Sequence, residues 1–246
     1  MKKLLASLAL VSALSTSFIN RENFETETVE NKAVSVVKSI SEIKENAVSS
    51  TEIFSTIDFS GINQLNPEVF EKAYKGFQKL KAAGKLPQES QILSIVDFSL
   101  SSNTKRLWII DLNSKKVLFN SLVAHGKNTG DEFATNFSNN RNSLQSSLGF
   151  YVTDDTYFGG NGYSLRLHGM DKGWNDAALE RAVVMHGAKY VSEQFAAQHK
   201  RIGRSWGCPA VPSELAQQII DTVKGKQCLF LYYPDQNYLS SSEWLL

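Results

Sequence analysis

The chain reads as a β-rich α+β protein, a sheet-forming domain with peripheral helices preceded by an N-terminal helical segment. Three observations carry this. Between residues 91 and 126 the runs QILSIVDFSL, KRLWIIDLN and KVLFNSLVAHG are apolar and β-branched, broken only by Ser-Ser-Asn and Asn-Ser-Lys-Lys turns, which predicts an antiparallel meander. CLFLYY at 228–233 reads as a last buried strand. Ahead of the strands lies one segment of clear helical period, from Asn66 to Gly84.

The elements divide the chain into four stretches. Residues 1–19, MKKLLASLALVSALSTSFI, have two lysines, a short apolar centre and small residues near a cut, the build of a cleaved secretory signal. Both Ala13-Leu14-Ser15 and Ser15-Thr16-Ser17 suit cleavage. The apolar run falls short of the ~20 residues a spanning helix needs, so no membrane span is expected after cleavage. Residues 20–60 are polar, with Val29, Ala33, Val36, Val37, Ile40 and Ile43 at helical spacing: a polar linker or exposed helix. Residues 61–90 form a helical segment. Asn66 caps it, Pro67 suits its first turn, Glu68 and Glu71 favour the positive end of its dipole, and Gly84 ends it. Val69, Phe70, Ala73, Tyr74, Phe77 and Leu80 supply the apolar face.

Residues 91–246 form the main domain. After the meander, 126–164 are rich in Gly, Asn and Ser, which predicts long loops around a short strand, LGFYVT. Two more helices are expected, one over Asp176–Arg181 opened by Asn175, the other over Glu214–Val223 opened by Ser213 and closed by Gly225.

Composition narrows the function. With 26 Lys plus Arg against 25 Asp plus Glu, the net charge of +1 argues against a nucleic-acid partner. At 42% hydrophobic and 11% aromatic, the 246-residue chain has enough apolar material for a core. Two cysteines without a C-x-x-C pair make neither a disulfide scaffold nor a thiolate metal site.

The richest stretch for chemistry is 181–212. Gly207 lets the backbone approach a substrate or take a special φ, Pro209 stiffens the exit, and Cys208 between them is well placed to present its sulfur. A thiol nucleophile needs a base or cation beside it. His186 ends an apolar β-like run and precedes Gly187; His125 and His168 also precede glycines and compete with it, while His199 sits in the polar stretch QHKR. Every histidine precedes Cys208, the reverse of the papain-like order. Other readings stay open. Cys208 could pair with Cys228 as a disulfide, although Cys228 within CLFLYY suits a buried inert thiol. His168, Asp171 and His186 could form a zinc site, though without a recognised ligand spacing.

His186-Gly187 followed by Ser205-Trp206-Gly207-Cys208 resembles the signature of the YkuD-type L,D-transpeptidase catalytic domain, in the variant branch that continues Pro-Ala-Val. VAHG at 123–126, FSN at 137–139, SSLGFY at 146–151 and SLRLHG at 164–169 add to the resemblance, which covers about residues 90–233. It implies a mixed β-sandwich and an enzyme of the cell envelope or periplasm that acts on peptidoglycan stem peptides without a metal or organic cofactor. Cys208 would be the nucleophile, His186 its base or ion-pair partner, and the Gly207 and Cys208 N–H groups the oxyanion donors. Ser205 and Arg204 would shape the site, and His168, Arg166 and Trp206 would meet substrate. A thioester resolved by a neighbouring stem amine gives a 3→3 crosslink; resolved by water, it makes the enzyme an L,D-carboxypeptidase or stem-peptide hydrolase. A reading of another class is a non-catalytic peptidoglycan-binding module with a Cys208–Cys228 disulfide. Two departures from the commoner family pattern stand out: Ala210 occupies the place of an arginine, and 21 residues separate His186 from Cys208. The extra segment 190–202 is expected to form a small helix beside the groove.

Overall fold

The computed structural model describes residues 49–246. The expected signal segment, and the polar segment up to residue 48, lie outside the described residues. Helix α1 (Ser50–Ser55) is opened by a capping box in which Ser49 and Glu52 satisfy each other's backbone N–H. Helix α2 (Pro67–Ala82) starts where the sequence places it, with Asn66 Oδ1 accepting from Glu68 N at 2.8 Å, and Gly84 beyond its end takes a φ of 66°.

Eight strands follow: β1 (Ile92–Asp97), β2 (Leu107–Asp111), β3 (Lys116–Ser121), β4 (Gly149–Gly159), β5 (Gly162–Gly169), β6 (Val184–Ala188), β7 (Ala210–Pro212) and β8 (Cys228–Tyr232). They form one mixed sheet ordered β3-β2-β1-β8-β4-β5-β6-β7, parallel at β1/β8 and β6/β7 and antiparallel elsewhere. Helices α3 (Glu193–His199), α4 (Ala216–Val223) and α5 (Gln236–Leu239) are peripheral. The meander of β1–β3 and the last buried strand are those expected from the sequence. The segment after β3 bridges β7 through Ala124 and Ala210, so the far edges of the sheet meet.

Alternation explains the continuous apolar runs. On the central strands Leu93, Ile95, Trp108, Ile110, Phe150, Cys228 and Phe230 face one core, which α2 covers with Val69, Phe70, Ala73, Phe77 and Leu80. Their neighbours Val96, Leu107, Ile109, Tyr151, Leu229 and Leu231 face a second core, shared with Leu165, Leu167 and Met185 and covered by Ile219, Ile220 and Val223 of α4. Strands covered on both faces need apolar residues at both parities. Gly76 allows α2 to press onto the sheet, because a Cβ there would lie 2.0 Å from the Phe150 ring, which stacks on Phe230 at 4.1 Å.

Three local expectations are corrected. Residues 176–181 form successive turns and no helix, because Asn175 does not cap: its Oδ1 accepts from Asp171 N and its Nδ2 donates to Phe150 O. The run ends on Ala182 at a left-handed φ of 53°. The strand expected at LGFYVT extends to Gly159 and pairs with β5 across a Gly-rich turn, so the long loop stops at about residue 148. Helix α4 begins two residues later than expected, with no side-chain cap.

The C-terminal segment is pinned by a buried carboxylate. Asp171 accepts from Phe150 N at 2.7 Å, from Tyr238 OH at 3.5 Å and from Ser242 Oγ. Burial pushes its pKa up to about 6, against the pull of these donors. The folded state therefore holds this proton more tightly than the unfolded state. Its contribution is full below the ordinary carboxylate pKa and is lost as pH rises through about 6, a change of about 3 kcal/mol at 1.36 kcal/mol per unit. Asp171→Asn does not titrate, so it should cost more stability at pH 4.5 than at pH 7.5. Urea midpoints of both proteins at the two pH values check this; a difference independent of pH overturns it.

Candidate active site

Cys208 sits at the exit of a turn built from residues 204–208. The turn is tied to the segment after β3: Ser205 N donates to His125 O at 3.0 Å, and Lys127 N donates to Ser205 O at 2.7 Å. Inside the turn, Ser205 Oγ donates to Cys208 O at 2.6 Å and accepts from Gly207 N at 3.1 Å. Gly207 is required twice over. Its φ is 122°, and a Cβ would stand 2.7 Å from Gln145 O. Ser146 Oγ donates to Gly207 O at 3.3 Å from the same loop.

The register of β6 and β7 sets His186 opposite Ala210, two residues after Cys208. Cys208 is half-buried, and its sulfur accepts from Val184 N at 3.5 Å and donates to Ala182 O at 3.8 Å; it makes no hydrogen bond to His186. Burial pushes the thiol pKa up, while the Val184 N–H and the charge of Arg181 pull the other way. His186 is buried, and its Nδ1 lies 2.9 Å from Gly187 O. A carbonyl only accepts, so Nδ1 carries the proton and Nε2 keeps its lone pair. Burial lowers the pKa of the ring, so at neutral pH the resting pair is a thiol and a neutral imidazole.

The other histidines are spent elsewhere. His125 Nδ1 accepts from the buried Arg106 at 2.7 Å, its Nε2–H donates to Gly130 O at 3.3 Å, and burial drops its pKa to about 4. His168 pairs with Asp154 at 2.7 Å. His199 stacks on Phe195 in α3, the small helix expected in the extra segment, which Ser192 caps. His168, Asp171 and His186 thus each have separate partners, and no group of three His, Cys, Asp or Glu side chains among the described residues could hold a metal ion. The Cys208–Cys228 disulfide is not formed: both thiols are free, with Cys228 fully buried in β8.

The arginines separate in the same way. Arg204 bonds Asp131 at 2.6 Å and Gly130 O at 2.9 Å; Arg166, on β5, stacks over Tyr157 at 4.4 Å. Ala210 is fully buried in a small apolar cluster, so an arginine there would have no room. Trp206 is 77% exposed and rims a pocket of about 320 Å3 with Arg141, Leu144, Glu180, Arg181 and Ala182. Sequence reasoning missed Arg181 and Tyr190. Tyr190 packs under Gly203, and its hydroxyl is pushed up to about 12 by burial and by Cys208. Neither had a signal in the sequence, because their approach to Cys208 depends on how the strand and loop segments pack. Of the two expected oxyanion donors, the Gly207 N–H donates to Ser205 Oγ at 3.1 Å, whereas the Cys208 N–H makes no hydrogen bond among the described residues.

A β-rich sheet with a buried neutral imidazole on β6 and a free thiol on the turn that leads into the neighbouring β7 suits thiol chemistry. The family model of the L,D-transpeptidase catalytic domain matches residues 61–232, more than half of the chain, and the chain belongs to that family. Among solved structures, an L,D-transpeptidase from Mycobacterium smegmatis is 12% identical, covering 58% of this chain and 59% of its own, with a TM-score of 0.36. One from Xylanimonas cellulosilytica is 13% identical, covering 73% and 77%, with a TM-score of 0.32. The chain thus spans under two thirds of the Mycobacterium protein. No curated protein matches. Among the described residues no helix is long and apolar enough to cross a membrane.

Proposed function

We propose that the chain is an exported cysteine acyltransferase acting on peptidoglycan stem peptides, with Cys208 as nucleophile and His186 as general base. The observation that carries this reading is the unprotonated Nε2 of the buried His186, held one strand away from a free thiol on a rigid turn. Ser205 has the role of fixing the turn, and the Cys208 N–H that of the oxyanion donor. Arg166, Arg204, His168 and Trp206 remain proposed substrate contacts; of these, Trp206 at the pocket rim has the strongest structural support.

In the proposed cycle the sulfur turns from Ala182 O towards His186, which takes its proton. The thiolate attacks the carbonyl of the third stem residue, a C–S bond forms and the C–N bond to the terminal D-Ala breaks. The imidazolium returns the proton to the departing amine. An acceptor amine then attacks the thioester, gives its proton to His186 and releases the thiolate, leaving a 3→3 crosslink; with water as acceptor the same steps give hydrolysis. Export rests on the composition of residues 1–19 and is read from the mass of the N-terminus in the envelope fraction.

Intact mass after mixing with a disaccharide tetrapeptide tests the reaction. The wild type should gain a donor mass less D-Ala, and Cys208→Ala should gain nothing. Products larger than the donor mean transpeptidation, and smaller ones mean hydrolysis. No adduct and no D-Ala release from the wild type overturns the reading.

A further inference from the structure

Arg181 is a half-buried guanidinium without a carboxylate partner among the described residues. Its Nη1 donates to Ser138 O at 2.8 Å and to Ser147 Oγ; its Nη2 donates to Ser143 Oγ at 3.1 Å and to Gln145 O at 2.7 Å. All four acceptors are neutral. A guanidinium has five N–H donors, and the fifth, Nε–H, makes no hydrogen bond among the described residues. Two other arginines differ: Arg204 faces Asp131 and Arg141 faces Glu180.

Its position follows from the same loop. Gln145 O, which Arg181 holds, is the atom that Gly207 approaches, and a Cβ on Gly207 would lie 3.4 Å from Arg181 Nη2. On its other side, Arg181 leads into Ala182, whose left-handed backbone turns its carbonyl to the Cys208 sulfur at 3.8 Å. The guanidinium is therefore held by loop 138–147 against the Gly207 turn that carries Cys208, and its charge favours the anionic sulfur. A fixed, unneutralised cation in a partly desolvated pocket stabilises anions that arise next to it without reorganising.

We propose that Arg181 is the counter-ion of the Cys208 thiolate, a fixed positive charge that stabilises the sulfur anion when His186 removes its proton. The assignment deepens the acyl-transfer reading and rests on it for its role in turnover, but the charge itself acts on the free thiol. Two further groups bear on the sulfur: the Val184 N–H, which also favours the anion, and the Tyr190 hydroxyl, which is neutral at working pH. His186, across the strand pair, is neutral as well.

The test needs no substrate. Cys228 is fully buried, so alkylation of the native protein reads Cys208, with Cys208→Ala as the blank. In the pH dependence of iodoacetamide alkylation, Arg181→Gln should raise the apparent thiol pKa by about one unit or more, slowing the reaction about tenfold at pH 7.5 and leaving the high-pH plateau unchanged. Arg181→Lys, which keeps a charge but cannot hold four acceptors, should recover most of the rate while sharing the fall in melting temperature. If both variants melt early and the thiol pKa stays put, Arg181 is only a loop clamp and the proposal fails. A measurement on the unaltered protein covers the case in which Arg181→Gln does not fold. Anionic iodoacetate should react faster relative to neutral iodoacetamide at Cys208 than at a free cysteine, and salt should shrink the ratio; a ratio equal to that of free cysteine overturns the proposal. Because donor turnover is absent from these assays, a failed acyl-transfer reading and a failed counter-ion are told apart.

Discussion

Exchanging His186 for glutamine should lower kcat/KM for stem-peptide transfer by about 10^2- to 10^4-fold, the range for removal of a positioned general base. Glutamine can still donate towards Gly187 O, so the strand pairing survives and the loss reads proton transfer. As the proposed base, His186 must be unprotonated in the wild type. Burial lowers the His186 pKa, so the acid limb of the kcat/KM profile should fall below the ordinary histidine value. In His186→Gln that limb should vanish, while iodoacetamide still labels Cys208. A variant within about threefold of wild type would move the base elsewhere. His125 could not take the role, with both ring nitrogens bound in the interior, and His168 would have to leave Asp154 first.

Much of this arrangement is legible in the sequence, where local chemistry decides the structure. Asn66-Pro67 starts a helix because the cap and the first turn need only their own neighbours. The runs at 92–97, 107–111 and 228–232 form strands because both faces of each are covered. Local reading failed where a side chain had a distant partner. Asn175 looks like an N-cap until Asp171 and Phe150 claim its amide, and the helix it would open becomes turns. The β4–β5 hairpin was hidden because Gly and Asn, which mark loops, here mark one tight turn.

The site divides in the same way. The Ser-Trp-Gly-Cys turn and His186 stand out as residue types in an informative pattern, and the β6–β7 register sets His186 opposite Ala210, just after that turn. Arg181 is twenty-seven residues from Cys208 in the chain and gives no such signal. Its importance comes from loop 138–147, whose four acceptors turn the guanidinium to the back of the Gly207 turn. Arg166 and Arg204 were the more visible arginines, and both are engaged by their own neighbours. An arginine's charge reaches a site only if nearer partners leave it unneutralised, and partners across the fold are invisible to spacing.

Arg106→Met should destabilise the protein by about 3–5 kcal/mol, the usual cost of removing one partner from a buried charged network. Arg106 is fully buried, and burial lowers its pKa to about 9, so it stays charged at pH 7. It donates to Leu100 O at 2.7 Å, to Val123 O at 3.1 Å and to His125 Nδ1 at 2.7 Å, and it packs over the Phe98 ring at 5.0 Å. Methionine fills much of the volume but leaves these acceptors dry and Asp97 without its nearby cation. Lysine should recover only part of the loss, because one ammonium on a flexible stem cannot reproduce the planar fork that serves acceptors on several sides. Urea midpoints of the three proteins measure this, and a loss under about 1 kcal/mol for Arg106→Met would show that the network relaxes without it. The consequence should reach the site. Arg106 holds the His125 ring, the His125 carbonyl holds Ser205 N, and Ser205 Oγ holds Gly207 N and Cys208 O. Where Arg106→Met still folds, acyl transfer should fall more than Cys208 alkylation does. The thiol itself is untouched, whereas the turn that aims it has lost its anchor in the core.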